Sequence, residues 1–123
     1  MNFVAKSTVA IAALAGLASA AQAADPFGTW TRPSTGAQIS FYDCGGKLCA
    51  KVVGVKDQTK KDNVGKVIMT GAAKSGDNTW KGDLLNLEDG NTYSGTVTLV
   101  AGGLNLKGCT LGGIICKDET LKK

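Results

Sequence analysis

Apolar and polar residues alternate in short runs between Gly28 and Lys123, glycines break the runs every eight to twelve residues, and no stretch there sustains a helical period. The plainest run is Thr92–Val100. Tyr93, Val97 and Leu99 share one face and Thr92, Ser94, Thr96 and Thr98 the other, the pattern of a strand with one buried and one wet side. Gly102-Gly103 then leads into Leu104-Asn105-Leu106-Lys107, which completes a hairpin. The same period places Ile39 with Phe41, and Ala50 with Val52. Strands are predicted near residues 28–32, 37–44, 48–55, 67–71, 78–86, 91–100, 104–109 and 114–121. Eight meandering strands predict a small antiparallel barrel, since closure removes the edges through which a β domain aggregates. The longest connection, Lys56–Lys66, is the expected rim or lid.

An eight-stranded barrel is just wide enough to be filled by its own side chains or to hold one small ligand. The inward set (Ile39, Phe41, Ala50, Val52, Tyr93, Val97, Leu99, Leu104 and Leu106) is apolar and mostly medium-sized, and Gly54, Gly82 and Gly95 are expected to leave gaps. The candidate ligand-binding residues are Phe41, Trp80, Tyr93 and Leu99. Trp80 and Tyr93 would supply aromatic walls with polar tips, and a lysine from the Lys56–Lys66 loop would meet an acidic headgroup. A fully packed core accounts for the same residues.

The chain opens differently. Lys6 precedes an uncharged, alanine-rich run from Ser7 to Ala24 whose strongly apolar part, Val9–Ala18, is about half the ~20 residues of a membrane span. Ala21-Gln22-Ala23 has the small-x-small form of a signal-peptidase site, with Ala18-Ser19-Ala20 a second possible one. Residues 1–23 therefore read as a signal peptide, and residues 24–123 as one β-barrel domain in the periplasm without a stable membrane anchor. Cys44, Cys49, Cys109 and Cys116 all lie in that domain. An even count in an oxidising compartment reads as two disulfides, and spacing favours Cys44 with Cys49 and Cys109 with Cys116. Strand parity puts Cys44 and Cys49 on the outward face of one hairpin. A zinc site built from all four thiolates is the rival, although structural zinc sites prefer two to four intervening residues and a reducing compartment.

Charge and chemistry narrow the function. The 14 Lys and Arg against 10 Asp and Glu give a net charge of +4, too weak and too scattered for nucleic acid. There is no histidine, which removes Ser-His-Asp, HExxH and Cys-His catalysis together. Glu88-Asp89 and Asp118-Glu119 are the adjacent acidic pairs. Glu88 and Asp89 precede Gly90 and read as turn formers. Asp83, inside a strand, is the one carboxylate whose facing is open. No catalytic residue, metal site or cofactor is assigned, and the chain is not expected to be an enzyme.

Gly28-Thr29-Trp30, the Cys44-Gly45-Gly46-Lys47-Leu48-Cys49 hairpin, Thr70-Gly71, the Glu88-Asp89-Gly90-Asn91-Thr92-Tyr93 turn and Leu106-Lys107-Gly108-Cys109 occur here in one order. In that order the chain resembles the bacterial family called domain of unknown function 2147 over nearly all of residues 25–123. The resemblance implies an exported, lipocalin-like barrel without an assigned activity, and Gly28-Thr29-Trp30 is similar to the first-strand signature of lipocalins, whose Trp closes the barrel floor. Two segments depart from the family pattern: Asp62-Asn63-Val64 stands where Asn-Pro is usual, and the ending Glu119-Thr120-Leu121-Lys122-Lys123 replaces Gln-Thr-Trp-Thr-Arg. The expected function is binding of a small apolar ligand. The alternative is a protein-binding envelope module such as a protease inhibitor or scaffold, which the short segment Ala24-Asp25-Pro26-Phe27 ahead of Gly28 and the polar Lys56–Lys66 loop without an aromatic anchor place second. Intact-mass analysis of exported protein is expected to show a chain beginning at Ala24; full-length chain held in the inner membrane would refute the cleavage.

Overall fold

The computed structural model describes residues 25–110 and 112–123, so the expected signal peptide, residues 1–23, lies outside the described residues. Eight strands run in chain order around one sheet: β1 (Gly28–Thr31), β2 (Gln38–Asp43), β3 (Leu48–Gly54), β4 (Val67–Gly76), β5 (Thr79–Leu85), β6 (Thr92–Val100), β7 (Gly103–Cys109) and β8 (Cys116–Leu121). Every neighbouring pair is antiparallel. The end of β8 returns to β1, where Thr31 and Lys122 exchange backbone hydrogen bonds of 2.6 and 2.9 Å. The architecture is an all-β, nearly closed barrel.

The largest departure from the predicted strands is β4, which runs five residues past 71, to Gly76. Ala72-Ala73-Lys74-Ser75 carries no β-branched residue, so the sequence holds no local signal for it. Pairing decides instead: residues 67–72 pair with β3 through two register shifts, and Ala73, Lys74 and Gly76 pair with β5, with a further shift between Lys74 and Gly76. The Lys56–Lys66 connection contains a 3₁₀ turn, Gln58–Asn63, opened by Asp57, whose carboxylate accepts from the Thr59 amide at 3.0 Å and the Thr59 hydroxyl at 2.6 Å.

Both disulfides join the expected pairs, Cys44 to Cys49 and Cys109 to Cys116, and no cysteine is free, which excludes the four-thiolate zinc site. The expected exposure of Cys49 is corrected. It has outward parity, yet it is 5 % exposed within a run of three buried residues, Leu48-Cys49-Ala50, with its sulfur covered by the bond to Cys44.

The interior is solid toward the end where β1 begins. Trp30, Phe41, Leu48, Met69, Val97, Leu104 and Leu121 are buried there. The Trp30 indole donates to the Pro26 carbonyl at 2.9 Å, and the Lys123 ammonium stands 4.7 Å from the Trp30 ring centre while donating to the Phe27 carbonyl at 3.1 Å. The altered C-terminal segment therefore still builds the floor, with Leu121 supplying apolar volume and Lys123 the cation over the indole.

The gaps expected at Gly54, Gly82 and Gly95 do not exist. A Cβ at Gly82 would lie 2.8 Å from the Ala72 backbone, one at Gly95 would lie 2.8 Å from the Leu84 Cβ and 3.2 Å from the Met69 methyl, and one at Gly54 would meet the Gln38 amide oxygen at 2.7 Å. Gly82 and Gly95 let β4, β5 and β6 press together, and at Gly54 the Gln38 side chain of β2 takes up the space. Overpacking typically costs about 1–3 kcal/mol, so Gly82→Ala and Gly95→Ala are each expected to lower the urea midpoint by an amount in that range at unchanged m-value. Unchanged midpoints would show that the strands can spread freely.

Candidate functional site

Antiparallel order places the β1–β2, β3–β4, β5–β6 and β7–β8 connections at the end of the barrel opposite the floor. There the interior opens into a cavity of about 1090 Å³, at or above the upper limit of about 300–1,000 Å³ usual for small-molecule sites. Its wall is apolar: Ile39 from β2, Val52 from β3, Ile68 from β4, Leu84 from β5 and Leu106 from β7, with Val55 and Leu87 nearer the mouth. Ile39, Val52 and Ile68 are buried, while Leu84 and Leu106 are partly exposed to the cavity.

The rim is polar and each part is held by local chemistry. In the β1–β2 connection the Arg32 amide donates to the Ala37 carbonyl and the Gly36 amide to the Arg32 carbonyl, both at 2.8 Å. Gly36 has φ +76°, and a Cβ there would sit 2.9 Å from the Lys56 Cβ, so the Lys56 stem lies directly against this turn. In the β5–β6 connection the Gly90 amide donates to the Asn86 carbonyl at 2.8 Å, Asn91 donates its amide to the Asp89 carboxylate at 2.8 Å, and the Tyr93 hydroxyl donates to the same carboxylate. The Tyr93 bond holds Asp89 below the usual carboxylate range and in turn raises the Tyr93 phenol above its ordinary value. The tip of Tyr93 is thereby committed to its own turn.

One carboxylate is turned inward. Glu119 lies opposite Leu106 in the β7–β8 register, on the same face as Leu121. Its Oε1 accepts from Arg32 Nε at 2.8 Å and its Oε2 from the Ser34 amide at 2.7 Å. Burial pushes the Glu119 carboxyl up, but the Ser34 hydrogen bonds and the Arg32 guanidinium outweigh it and hold the group below its ordinary value. The neighbouring Asp118 faces outward, accepting from the Asn105 amide at 2.9 Å. Asp83 is exposed on the outer face of β5, which settles its orientation. Among the described residues no three His, Cys, Asp or Glu side chains are grouped so as to hold a metal ion.

Of the four residues singled out from the sequence, Tyr93 alone lines the cavity. Phe41, 1 % exposed, is sealed in the floor. Trp80, in register with Val97, and Leu99, in register with Leu104, are half-buried against the same core and away from the cavity. Trp80 is instead met from β4 by the Lys74 ammonium, 5.8 Å from its ring centre. The structure therefore does not bring the four together. Alternation identifies inward residues but not their depth, and depth separates floor from cavity. The expected rim lysines are present, since Lys56 and Lys60 both line the mouth. Arg32, Lys117 and Glu119 were not anticipated. Counting back by twos from Leu121 assigns Glu119 and Lys117 to the inner face, a signal available in the sequence.

A barrel of eight meandering strands, floored by a first-strand Trp and open at the other end, is a lipocalin-like architecture. Protein HP1028 from the human pathogen Helicobacter pylori, described as belonging to the lipocalin family, superposes with a TM-score of 0.67 at 22 % identity over 80 % of this chain and 82 % of that one. Residues 28–123 match the model of the uncharacterised protein family conserved in bacteria, DUF2147, and the chain belongs to that family. No curated protein matches it.

The Glu119 contacts make a pH prediction. Because the folded carboxyl titrates below the unfolded value of 4.5, its contribution is complete above that value and is lost as pH falls through the lower folded one. A partly exposed ion pair is worth about 1 kcal/mol at most. Glu119→Gln is therefore expected to lower stability by about that amount at pH 7 and by much less at pH 3, read from urea midpoints; equal losses at both pH values would remove the charge from the account.

Proposed function

We propose that the mature barrel is a periplasmic binding protein for a small, largely apolar ligand, and not an enzyme. The observation that carries this reading is the division of the interior into a solid floor and an open upper half walled by Ile39, Val52, Ile68, Leu84 and Leu106. A barrel serving only as a scaffold has no need of an empty apolar upper half, since medium-sized side chains would fill it at lower cost. The two disulfides suit an oxidising compartment, in keeping with the leader read in residues 1–23. Catalysis is disfavoured because the chain has no histidine and the inward carboxylate, Glu119, is engaged by Arg32 and Ser34.

A second reading, a protein-binding module, draws on one observation. Ile114 and Ile115, 86 % and 61 % exposed, sit in the β7–β8 connection beside the mouth. An envelope partner recovered at stoichiometric yield, and lost on Ile114→Ser with Ile115→Ser, would promote this reading above the first.

Gly108 offers a direct test. It lines the cavity, and a Cβ there would make only ordinary contacts, 3.5 Å to Leu84 Cδ2 and 3.7 Å to Tyr93 Cβ. Gly108→Leu is expected to change stability by no more than about 1 kcal/mol and to weaken binding of the neutral probe N-phenyl-1-naphthylamine at least tenfold. Native mass spectrometry of protein purified from its own envelope is expected to show a co-purifying molecule. A single apo species, with no thermal shift across fatty acids, quinones and aromatic acids, would leave the barrel without a ligand.

A further inference from the structure

The charges around the mouth are segregated. The β5–β6 connection contributes Glu88 and Asp89 to the cavity and no cation. The β1–β2 connection contributes Arg32 and no acid, and the β3–β4 connection contributes Lys56 and Lys60 with Asp57. β8 adds Lys117, Asp118 and Glu119. Of these acids, Asp57 is turned into its own 3₁₀ turn through Thr59, Asp89 into its own turn through Asn91 and Tyr93, and Asp118 to the outer face through Asn105. Glu119 is committed to Arg32 and Ser34, and the Glu88 carboxylate, in the β5–β6 connection, is the one mouth acid without a side-chain partner among the described residues. The cations are engaged far less. Arg32 uses only Nε, and Lys56, Lys60 and Lys117 form no ion pair among the described residues.

Arg32 and Lys56 both line the mouth beside the β1–β2 turn. Arg32 frames the turn that contains Gly36, and the Lys56 stem lies across that glycine. The Arg32 side chain is 33 % exposed, and its two terminal nitrogens have no protein acceptor among the described residues and are open to the cavity mouth. A guanidinium held rigidly by one edge presents the other as a fork matched to a planar oxyanion. Directly below this side of the mouth, β2, β3 and β4 supply Ile39, Val52 and Ile68.

We infer that the cavity takes an anionic amphiphile, a monocarboxylate whose head sits between Arg32 and Lys56 and whose tail lies on Ile39, Val52 and Ile68. The inference rests on the ligand-binding reading above and adds the class of ligand. Glu119 is a positioning residue in this site: it fixes the guanidinium and does not meet the ligand head. Arg32 sets the specificity, with Lys56 adding charge.

The test compares decanoate, decanol and decylamine on the folded, oxidised protein, by displacement of N-phenyl-1-naphthylamine at pH 7.5. Decanoate is expected to bind at least tenfold more tightly than decanol, and decylamine most weakly. Arg32→Gln is expected to bring decanoate to the level of decanol. Because Arg32 also contacts Glu119 at the β1–β8 junction, Lys56→Gln serves as the independent variant, expected to weaken decanoate three- to tenfold and leave decanol unchanged. Equal affinity for decanoate and decanol, or tighter binding of decylamine, would overturn the inference while leaving the apolar cavity as a binding site. Equal losses for both ligands in Lys56→Gln would likewise overturn it. Failure of all three ligands together with the neutral probe would take down the ligand-binding reading itself.

Discussion

The barrel depends on one junction. Seven of the eight strand contacts are between sequence neighbours and form as hairpins, but the eighth joins β1 to the end of β8 across nearly the whole domain, through the single bridged pair Thr31 and Lys122. Two hydrogen bonds are a slight tie for a closure whose loop entropy is the largest in the fold. The flanking contacts make up the difference. On the mouth side Glu119 of β8 engages Arg32 and Ser34, and on the floor side Lys123 reaches the Phe27 carbonyl and covers Trp30. Leu121, fully buried, lies between these two sets and ties the junction to the core. The C-terminal strand therefore closes the sheet, plugs the floor and carries the inward carboxylate within a few residues.

The junction and the cavity are consequently the same piece of chemistry at different depths. The carboxylate that holds β8 to the β1–β2 turn also orients the arginine at the mouth, and it faces the apolar wall across from Leu106. Below it, glycines at 82 and 95 draw the strands together until side chains fill the interior. Above it, no side chain large enough to fill the space points inward from β2, β3 or β7. The interior is asymmetric along its axis because large residues, Trp30, Phe41, Met69 and Leu104, are concentrated at one end.

Much of this architecture was legible in the sequence. Alternation located all eight strands, and parity and spacing paired the cysteines. The family resemblance supplied the lipocalin-like form. What escaped had physical causes. β4 extends through Ala72–Gly76 because its neighbours pair with it, and small residues carry no strand signal of their own. Gly82 and Gly95 look like voids in a list of residues, yet a missing side chain permits close approach as readily as it leaves space. Phe41, Trp80 and Leu99 were chosen for size and inward parity, but the ends of a barrel are told apart only by which turns lie at each. Arg32 and Glu119 are 87 residues apart, and their pairing follows from closure alone.

The placement of the two cross-links has a further consequence, for how the chain matures. Cys44–Cys49 spans the β2–β3 turn at the floor end and Cys109–Cys116 the β7–β8 connection at the mouth end, with sequence separations of 5 and 7. Each joins strands that are already neighbours in a hairpin, and neither crosses the junction. Such short loops remove little entropy from the unfolded chain, about 2 kcal/mol each by the loop formula, and each thiol finds its partner locally at any stage of folding. Oxidation is thus uncoupled from topology: either bond can form before the barrel closes, or after it, without trapping the strands in a wrong order. A newly made chain of this kind needs an oxidant but little proofreading of its disulfides.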